Sequence, residues 1–189
     1  MKRLFSLVLS FVLLLSLAAP ASAESAAGST LRLETTEGAV TVKDASGVGK
    51  TTRSGMRLYN GYALSTAAAS AAYISLDETK AVKLDASAEA EIKKQGKKLE
   101  VAVTAGQLFF NVTEPLKTDE SLNIRTATMV TGIRGSFGWV NGNQMGLLHG
   151  HVTLSCINPE TGETRTIDVH SGEMVSYDQA ASQSAETTL

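Results

Sequence analysis

Three histidines near the C-terminal end are the residues best suited to metal chemistry. His149 and His151 are two residues apart, and His170 follows later in the chain. Segments 151–157 and 164–170 alternate apolar and polar residues, which predicts the two antiparallel strands of a hairpin. Aligning the apolar residues on one face places His151 opposite His170, with His149 on the same side. Three imidazoles this close would suit zinc, copper or nickel; the alternative is three solvated histidines on a sheet face.

The segment 46–52 imitates a phosphate-binding loop, but its context argues against one. Its sequence, Ser-Gly-Val-Gly-Lys-Thr-Thr, contains the Gly-Lys-Thr of a P-loop. Such a loop needs a glycine where Asp44 stands and a helix after it, whereas residues 53–61 contain two glycines. We therefore predict a polar turn and no nucleotide cofactor.

A second polar cluster, Lys93–Lys98, gathers four lysines around a Gln-Gly turn. It predicts a solvated hairpin tip, with contact to an anionic envelope polymer or lipid head group as the alternative. The sequence contains neither Gly-x-Ser-x-Gly nor His-Glu-x-x-His. We therefore predict that the protein is not an enzyme and has no catalytic residues.

The first 23 residues have the three parts of a secretory signal peptide. Lys2 and Arg3 form a basic start, an apolar run follows from Leu4 to Ala19, and Ala-Ser-Ala ends at residue 23. The apolar run is shorter than the roughly 20 residues that a bilayer span needs. We predict cleavage before Glu24 rather than an uncleaved membrane anchor. The mature chain is then secreted or extracytoplasmic, at the cell surface or in the periplasm.

The charge of the mature chain limits its partners. Removing Lys2 and Arg3 takes the formal net charge from −2 to −4. A mildly acidic protein lacks the clustered cations that neutralise phosphates, so we predict no nucleic-acid partner. No second apolar run reaches spanning length, so we predict no membrane span after cleavage. An unknown protein or a cell-envelope polymer remains as the partner.

Cys156 is the one cysteine of the chain, so an internal disulfide cannot form. It shares a predicted strand face with Val152 and Leu154. This placement favours a small buried hydrophobe over an intermolecular bridge or a reactive thiol.

The pattern from Leu31 to Tyr177 is almost entirely strand-like. Runs of about five residues alternate apolar and polar side chains, and turn residues separate them. Many short strands at this spacing are typical of a sandwich, a barrel or a solenoid. We predict one all-β domain over residues 36–178. It follows the signal peptide (1–23) and a leader (24–35), and precedes a disordered tail (179–189).

An ordered series of strand-and-turn motifs in the sequence resembles the FecR domain family. The series includes Gly55–Thr66, of the form G-x-x-L-x-x-G-x-x-L-x-T, and later Leu99–Phe109. Its central piece, Ile133-Arg-Gly-Ser-Phe137, resembles the V-R-G-T-x-F signature of that family, with serine in place of threonine at 136. The matching positions, which we expect to be structural, are Gly55, Gly61, Thr66, Gly106, Arg134, Gly135, Phe137, Gly150 and Gly172.

The signature segment Ile133–Phe137 and its neighbours support two further predictions. Gly132 and Gly135 bracket two residues, which predicts a tight bend with close backbone approach at this point. Phe137 and Trp139 alternate on one strand face, and we expect at least Phe137 to lie in the core.

The resemblance implies an extracytoplasmic all-β domain, built as a short β-solenoid or roll of stacked strands, with a β-sandwich as the alternative. The best-known members relay a signal from an outer-membrane receptor to a cytoplasmic sigma factor, through a cytoplasmic segment and one membrane span. A chain with a cleavable signal peptide in their place would keep the binding role but not the relay. We therefore predict a non-catalytic binding or scaffolding module. The alternatives are an extracellular sensor that signals to a separate membrane protein, and an exported enzyme of unknown type.

Overall fold

The computed structural model describes residues 30–158 and 160–178 of the 189-residue chain. The predicted signal peptide (1–23) and tail (179–189), and most of the leader, lie outside the described residues. Within the described ranges, no helix is long and apolar enough to cross a membrane.

Seventeen strands supply nearly all the regular structure of the described residues. Their bounds are β1 Arg32–Glu37, β2 Val40–Lys43, β3 Gly49–Lys50, β4 Met56–Arg57, β5 Tyr62–Thr66, β6 Ala71–Ser75, β7 Lys80–Leu84, β8 Glu89–Gln95, β9 Lys98–Ala105, β10 Leu108–Val112, β11 Ser121–Arg125, β12 Met129–Ile133, β13 Phe137–Val140, β14 Gln144–His149, β15 His151–Ile157, β16 Thr164–His170 and β17 Met174–Ser176.

The strands form two large sheets, between which the chain passes back and forth. The eight-stranded sheet has the order β17-β14-β13-β10-β7-β6-β1-β4, and the nine-stranded sheet has the order β16-β15-β12-β11-β9-β8-β5-β2-β3. The strand pairs are antiparallel, except that β11 runs parallel to β9. The all-β prediction is confirmed. Two large sheets are common to the arrangements that the sequence predicts, the β-solenoid or roll and the β-sandwich.

Alternation along each strand builds one core from both sheets. In β9 the buried residues are Leu99, Val101 and Val103, and in β10 of the other sheet they include Leu108 and Phe110. All of them belong to a single hydrophobic cluster. Because side chains alternate across a strand, the intervening residues face solvent.

Cys156 belongs to the same core, as predicted. Its side chain is buried together with Val152 and Leu154. Burial raises the pKa of the Cys156 thiol, because the thiolate form would lose its hydration. The residue is therefore an inert part of the packing.

Two of the signature positions meet at one turn. The hydroxyl of Thr66 accepts a hydrogen bond from the N–H of Ala88 at 2.9 Å and donates one to the carbonyl oxygen of Asp85 at 2.5 Å. Gly106 has a φ of +71°, and a Cβ built on it would lie 2.5 Å from the Cα of Ala88. Only glycine allows the two turns to approach this closely.

The close backbone approach predicted at Gly135 is present, and Gly150 takes part in it. A Cβ on Gly150 would lie 2.6 Å from the carbonyl oxygen of Gly135. Arg134 has an exposed side chain, but its carbonyl oxygen accepts the N–H of Leu116 at 3.0 Å. The other signature glycines lie in turns with positive φ: Gly55, Gly61 and Gly172.

The expectation that Phe137 lies in the core is wrong. Its side chain is 40% exposed, whereas Ser136, Gly138 and Val140 are buried. The inward positions of β13 are therefore the even-numbered ones, and Phe137 points outward together with Trp139. The inner face is closed at this point, because a Cβ on Gly138 would already lie 2.8 Å from the ring of Phe110.

A nearly buried ion cluster ties the β6–β7 turn to the segment before β11. The ammonium of Lys80 lies 2.7 Å from a carboxylate oxygen of Asp77 and 3.2 Å from one of Glu120, and its side chain is 7% exposed. Burial alone would lower the pKa of Lys80, but the hydrogen bonds to both carboxylates outweigh it and raise that pKa. Burial would likewise raise the pKa of Asp77, and the hydrogen bonds from Lys80 and Thr79 lower it instead.

We expect Lys80→Met to lower the free energy of unfolding by about 2–3 kcal/mol, somewhat less than for a fully buried pair because both carboxylates are partly exposed. Since the folded-state pKa of Asp77 is lowered, its contribution is present above its ordinary value of 3.8 and is lost as the pH falls through the folded-state pKa. Urea unfolding at several pH values measures both effects.

Lys97→Met is the matched control, because Lys97 makes an equally short ion pair at the surface. Its ammonium lies 2.6 Å from Asp119, with both side chains about 60% exposed. Solvent screens such a pair, so this variant should melt almost like the wild type. Equal losses in the two variants would contradict the structural role of Lys80.

Candidate functional site

The predicted histidine hairpin is present, but it brings together two histidines rather than three. His151 lies opposite His170 in the β15–β16 ladder, and their ring centroids are 5.0 Å apart. His149 ends β14 in the other sheet, where it pairs with Phe137. The chain crosses between the sheets at Gly150, so the prediction that His149 shares the face of His151 is wrong.

The pair of His151 and His170 is exposed, and His151 lies beside a carboxylate. The Nε2 of His151 lies 3.2 Å from Asp168, and both side chains are about half exposed. Within the described ranges, no group of three or more histidine, cysteine, aspartate or glutamate side chains is arranged to hold a metal ion. The three-ligand metal site is therefore not formed by His149, His151 and His170.

The segment that imitates a phosphate loop forms the end of the β2–β3 turn and β3 itself. The Asp44 carboxylate accepts the N–H groups of Ser46 and Val48 at 2.9 and 3.0 Å. It also pairs with Lys50 at 2.6 Å, and this hydrogen bond is the main reason why the pKa of Asp44 is lowered. The backbone donors and the lysine that would hold a phosphate are thus already bound to a carboxylate.

The basic hairpin tip between β8 and β9 is largely balanced by acidic neighbours. Lys97 pairs with Asp119, and the ammonium of Lys93 lies 3.8 Å from both Glu91 and Glu100. The tip does not present a concentrated positive charge, which weakens its alternative role as an anion-binding site.

A row of aromatic side chains lies on the solvent side of the eight-stranded sheet. Tyr73 pairs with Lys83, Lys83 with Phe109, and Phe109 with Trp139, so the four residues share one row across β6, β7, β10 and β13. Phe137 stands in the next row along β13. We call Tyr73, Lys83, Phe109, Phe137 and Trp139 the aromatic face.

Lys83 stands between two of the rings. Its ammonium lies 5.6 Å from the ring centroid of Tyr73 and 5.5 Å from that of Phe109, which are cation–π distances. Asp85 lies 3.4 Å from the same ammonium. Lys83 therefore fills the space between the Tyr73 and Phe109 rings and places one cation in the middle of the face.

Beside this row lies an open groove of about 370 Å³, over the neighbouring row of Ser75, Ala81, Asn111 and Phe137. Its surface is mainly carbon, with contributions from Tyr73, Phe109 and Phe137. The polar side chains on its walls come from Glu34, Ser75, Lys83, Asn111 and the Tyr73 hydroxyl.

The face continues beyond Trp139 toward the end of the sheet. Trp139 pairs with Gly146, and a Cβ on Gly146 would lie 2.5 Å from the indole nitrogen, so the ring lies over the glycine. Gly146 pairs in turn with Met174, whose side chain is 66% exposed. Apolar surface therefore extends from β6 to β17.

The outer surface of the nine-stranded sheet has a different chemistry. One cross-strand row there runs over six strands and consists of Lys93, Glu100, Asn123, Gly132, Thr153 and Asp168. The groove on this side is lined mostly by charged and amide side chains. The two outer surfaces are thus unlike, and the exposed Phe137 and the half-buried Tyr73, Phe109 and Trp139 lie on that of the eight-stranded sheet.

Sequence reasoning missed the aromatic face, although one signal for it was available. Phe109 and Phe110 are adjacent in a strand, and adjacent side chains point to opposite faces. One of the two rings therefore has to face outward. Phe137 and Trp139 likewise lie on one face, as the sequence predicts, but the prediction that at least Phe137 lies in the core is wrong.

Residues 62–153 match the family model described as FecR protein. This range contains Thr66, Gly106 and the Gly135–Gly150 contact, so the resemblance that the sequence predicts is confirmed there. The match also spans β6 to β14, which carry the five residues of the aromatic face.

Two crystal structures from Parabacteroides distasonis ATCC 8503, each described as "a putative anti-sigma factor", are similar to this chain. They were determined at 2.50 and 1.65 Å resolution, and their TM-scores are 0.43 and 0.44. The sequence identity is 15%, and the similarity covers 58% of this chain and 60% of theirs, less than two thirds of their length. No curated protein matches the chain.

Proposed function

We propose that the mature chain is an exported, non-catalytic module that binds a protein through the aromatic face. The observation that carries this proposal is the group of aromatic side chains on the solvent side of one sheet only. Isolated exposed hydrophobic residues are ordinary, whereas a contiguous apolar patch marks an interaction surface. Aromatic residues are also enriched at protein interfaces.

The chemistry of the groove favours a protein over a glycan. The groove surface is mainly carbon, so the hydroxyl groups of a sugar ring pressed against it would lose hydrogen bonds to water without regaining them there. Apolar side chains of a protein carry no such penalty. They fit against the groove walls formed by Tyr73, Phe109 and Phe137, and a carboxylate of the partner would complement Lys83.

The same groove offers little support for the enzyme alternative. Its titratable side chains are Glu34, Tyr73 and Lys83. The Tyr73 hydroxyl donates to Glu37 at 3.1 Å, and Lys83 pairs with Asp85. These contacts position ring and ammonium groups and do not pair a nucleophile with a base.

The sensor alternative is a special case of protein binding. The FecR match over residues 62–153 supports a role in a signalling system, in which the bound protein would be a separate membrane protein. An exported location rests on the sequence pattern of residues 1–23, and intact-mass analysis of secreted material tests it. A mass that begins at Glu24 supports export, and one that retains Met1 contradicts cleavage.

A comparison of three proteins tests the binding proposal. The immobilised mature wild type, the double variant Phe109→Ala/Phe137→Ala and the control Val130→Ala are each incubated with the surface fraction of the producing cell. Val130 faces outward from the nine-stranded sheet, so the control should retain the same envelope protein as the wild type. The double variant should retain it at least about tenfold less, because central aromatic residues dominate interface energies.

Equal retention by all three proteins would contradict the proposal. So would retention of protein-free wall glycan that is lost in the double variant, because the face would then bind a polymer. Melting temperatures of the three proteins show whether any loss of retention reflects unfolding.

A further inference from the structure

Strand β16 is a long edge strand, and the described residues leave its outer edge uncovered. It ends the nine-stranded sheet and has seven residues, whereas the other edge strands, β3, β4 and β17, have two or three. Short edges give a partner strand little to pair with, so β16 is the edge of this molecule that is best suited to strand addition.

The register of the β15–β16 hairpin shows which backbone groups point outward. The N–H of Asn158 donates to the carbonyl oxygen of Glu163, and the ladder continues without a shift to His151 opposite His170. Hydrogen-bonded pairs alternate along an antiparallel ladder. The odd-numbered residues of β16 therefore bond to β15, and Thr164, Thr166 and Asp168 direct their N–H and carbonyl groups away from the sheet.

Two of the usual protections of an edge strand are absent from β16, although it carries charged side chains at Arg165 and Asp168. It contains no proline, and its ladder with β15 has no bulge. Toward its C-terminal end, the N–H of His170 is taken by the Glu173 carboxylate at 2.8 Å. Thr164, Thr166 and Asp168, whose backbone groups point outward, lie at exposed positions.

We propose that a second copy of this chain adds to this edge, with the two β16 strands antiparallel about Ile167. Thr166 of each copy then lies opposite Asp168 of the other, and each such pair exchanges both of its backbone hydrogen bonds. This register overlaps the whole strand. It places Ile167, which is only half-buried in the single copy, against its own counterpart on the core side.

The strand is chemically self-complementary in this register. Thr164 lies opposite His170, and Arg165 lies opposite Val169, so no two like charges face each other directly. Like charges at directly opposed positions would destabilise the pairing. An interface made by one strand edge is small, so the dimer is weak and forms in a concentration-dependent way.

The dimer gives the binding module two aligned sites, an inference that rests on the proposed function. Directly opposed residues of an antiparallel pair point to the same face, so the two nine-stranded sheets become one sheet with a common core side. Both eight-stranded sheets then lie on that side, with their aromatic faces directed the same way. A partner that displays its binding segment twice would be held by both sites and gain avidity.

Engineered disulfides test the register without any partner protein. Both variants carry Cys156→Ala. Ile167→Cys should form a disulfide-linked dimer under mild oxidation, because the two Cα atoms at the axis would be about 4.5 Å apart, within disulfide range. Thr166→Cys is the control, since its diagonal separation of about 7–8 Å is too long. No linked dimer from either variant, or equal rates from both, would overturn the proposal.

Light scattering over a dilution series tests whether the chain dimerises through the β16 edge. The wild type and Thr166→Val should approach twice the monomer mass at high concentration, whereas Thr166→Pro should stay monomeric because it lacks the outward N–H. A wild type that stays monomeric throughout would contradict the proposal. Phe109→Ala/Phe137→Ala should still dimerise, so failure of the binding site and failure of the dimer are distinguishable.

Discussion

Gly106→Ala is expected to lower the free energy of unfolding by about 3–4 kcal/mol. Part of the loss is the left-handed conformation, which costs an alanine about 1–2 kcal/mol. The rest arises because the new methyl group would lie 2.5 Å from the Cα and 2.6 Å from the Cβ of Ala88. The backbone of Ala88 blocks the new methyl group. The β9–β10 turn would therefore have to move away from the β7–β8 turn, to which the Thr66 hydroxyl is hydrogen-bonded. Urea unfolding monitored by circular dichroism measures the effect.

Gly55→Ala separates the two causes. Gly55 has a φ of +74°, close to the +71° of Gly106, but nothing lies within 4 Å of a Cβ built on it. This control should lose only about 1 kcal/mol, from backbone strain alone. If both variants lose the same amount, the Gly106–Ala88 contact contributes nothing.

Phe110→Ala is expected to lower the free energy of unfolding by about 3–5 kcal/mol. The Phe110 ring is 1% exposed and fills the core beneath Gly138. Its neighbour Phe109 lies half-buried on the aromatic face, and Phe109→Ala should cost about 1–2 kcal/mol because less apolar surface is lost. Thermal and urea unfolding of the two single variants give the comparison.

The order of these two losses tests the strand parity from which the aromatic face follows. A larger loss from Phe109→Ala would mean that β10 presents its other side to the core. Phe109 would then belong to the packing, and the aromatic face would not exist as described.

The sequence was sufficient to predict the β15–β16 hairpin, because alternation and turn chemistry are local. Matching Val152 with Val169 allows one register, and the structure has that register. His149 was misplaced because nothing local distinguishes a strand that continues from one that crosses to the other sheet. That crossing depends on the packing of Gly150 against Gly135, two residues far apart in the sequence.

Phe137 was misassigned for a related reason. Its apolar character fits a core position, and the parity of β13 is fixed by contacts that the sequence does not display. Small Gly138 faces inward because the ring of Phe110 already fills that space. The aromatic face was therefore not recognised, because its residues resemble core residues. The glycines of the signature were predictable as turn residues, since positive φ favours glycine whatever the tertiary packing.

Oxidative footprinting of the bound complex tests the aromatic face most directly. The protein retained by the wild type from the surface fraction is added back, and hydroxyl-radical oxidation is mapped by mass spectrometry. Binding should protect Phe137, Trp139 and Met174, while Val48, which is 57% exposed near the β2–β3 turn, should be oxidised as in the free chain. Unchanged oxidation of Phe137 and Trp139 in the complex, or protection at Val48 alone, would contradict binding through the aromatic face.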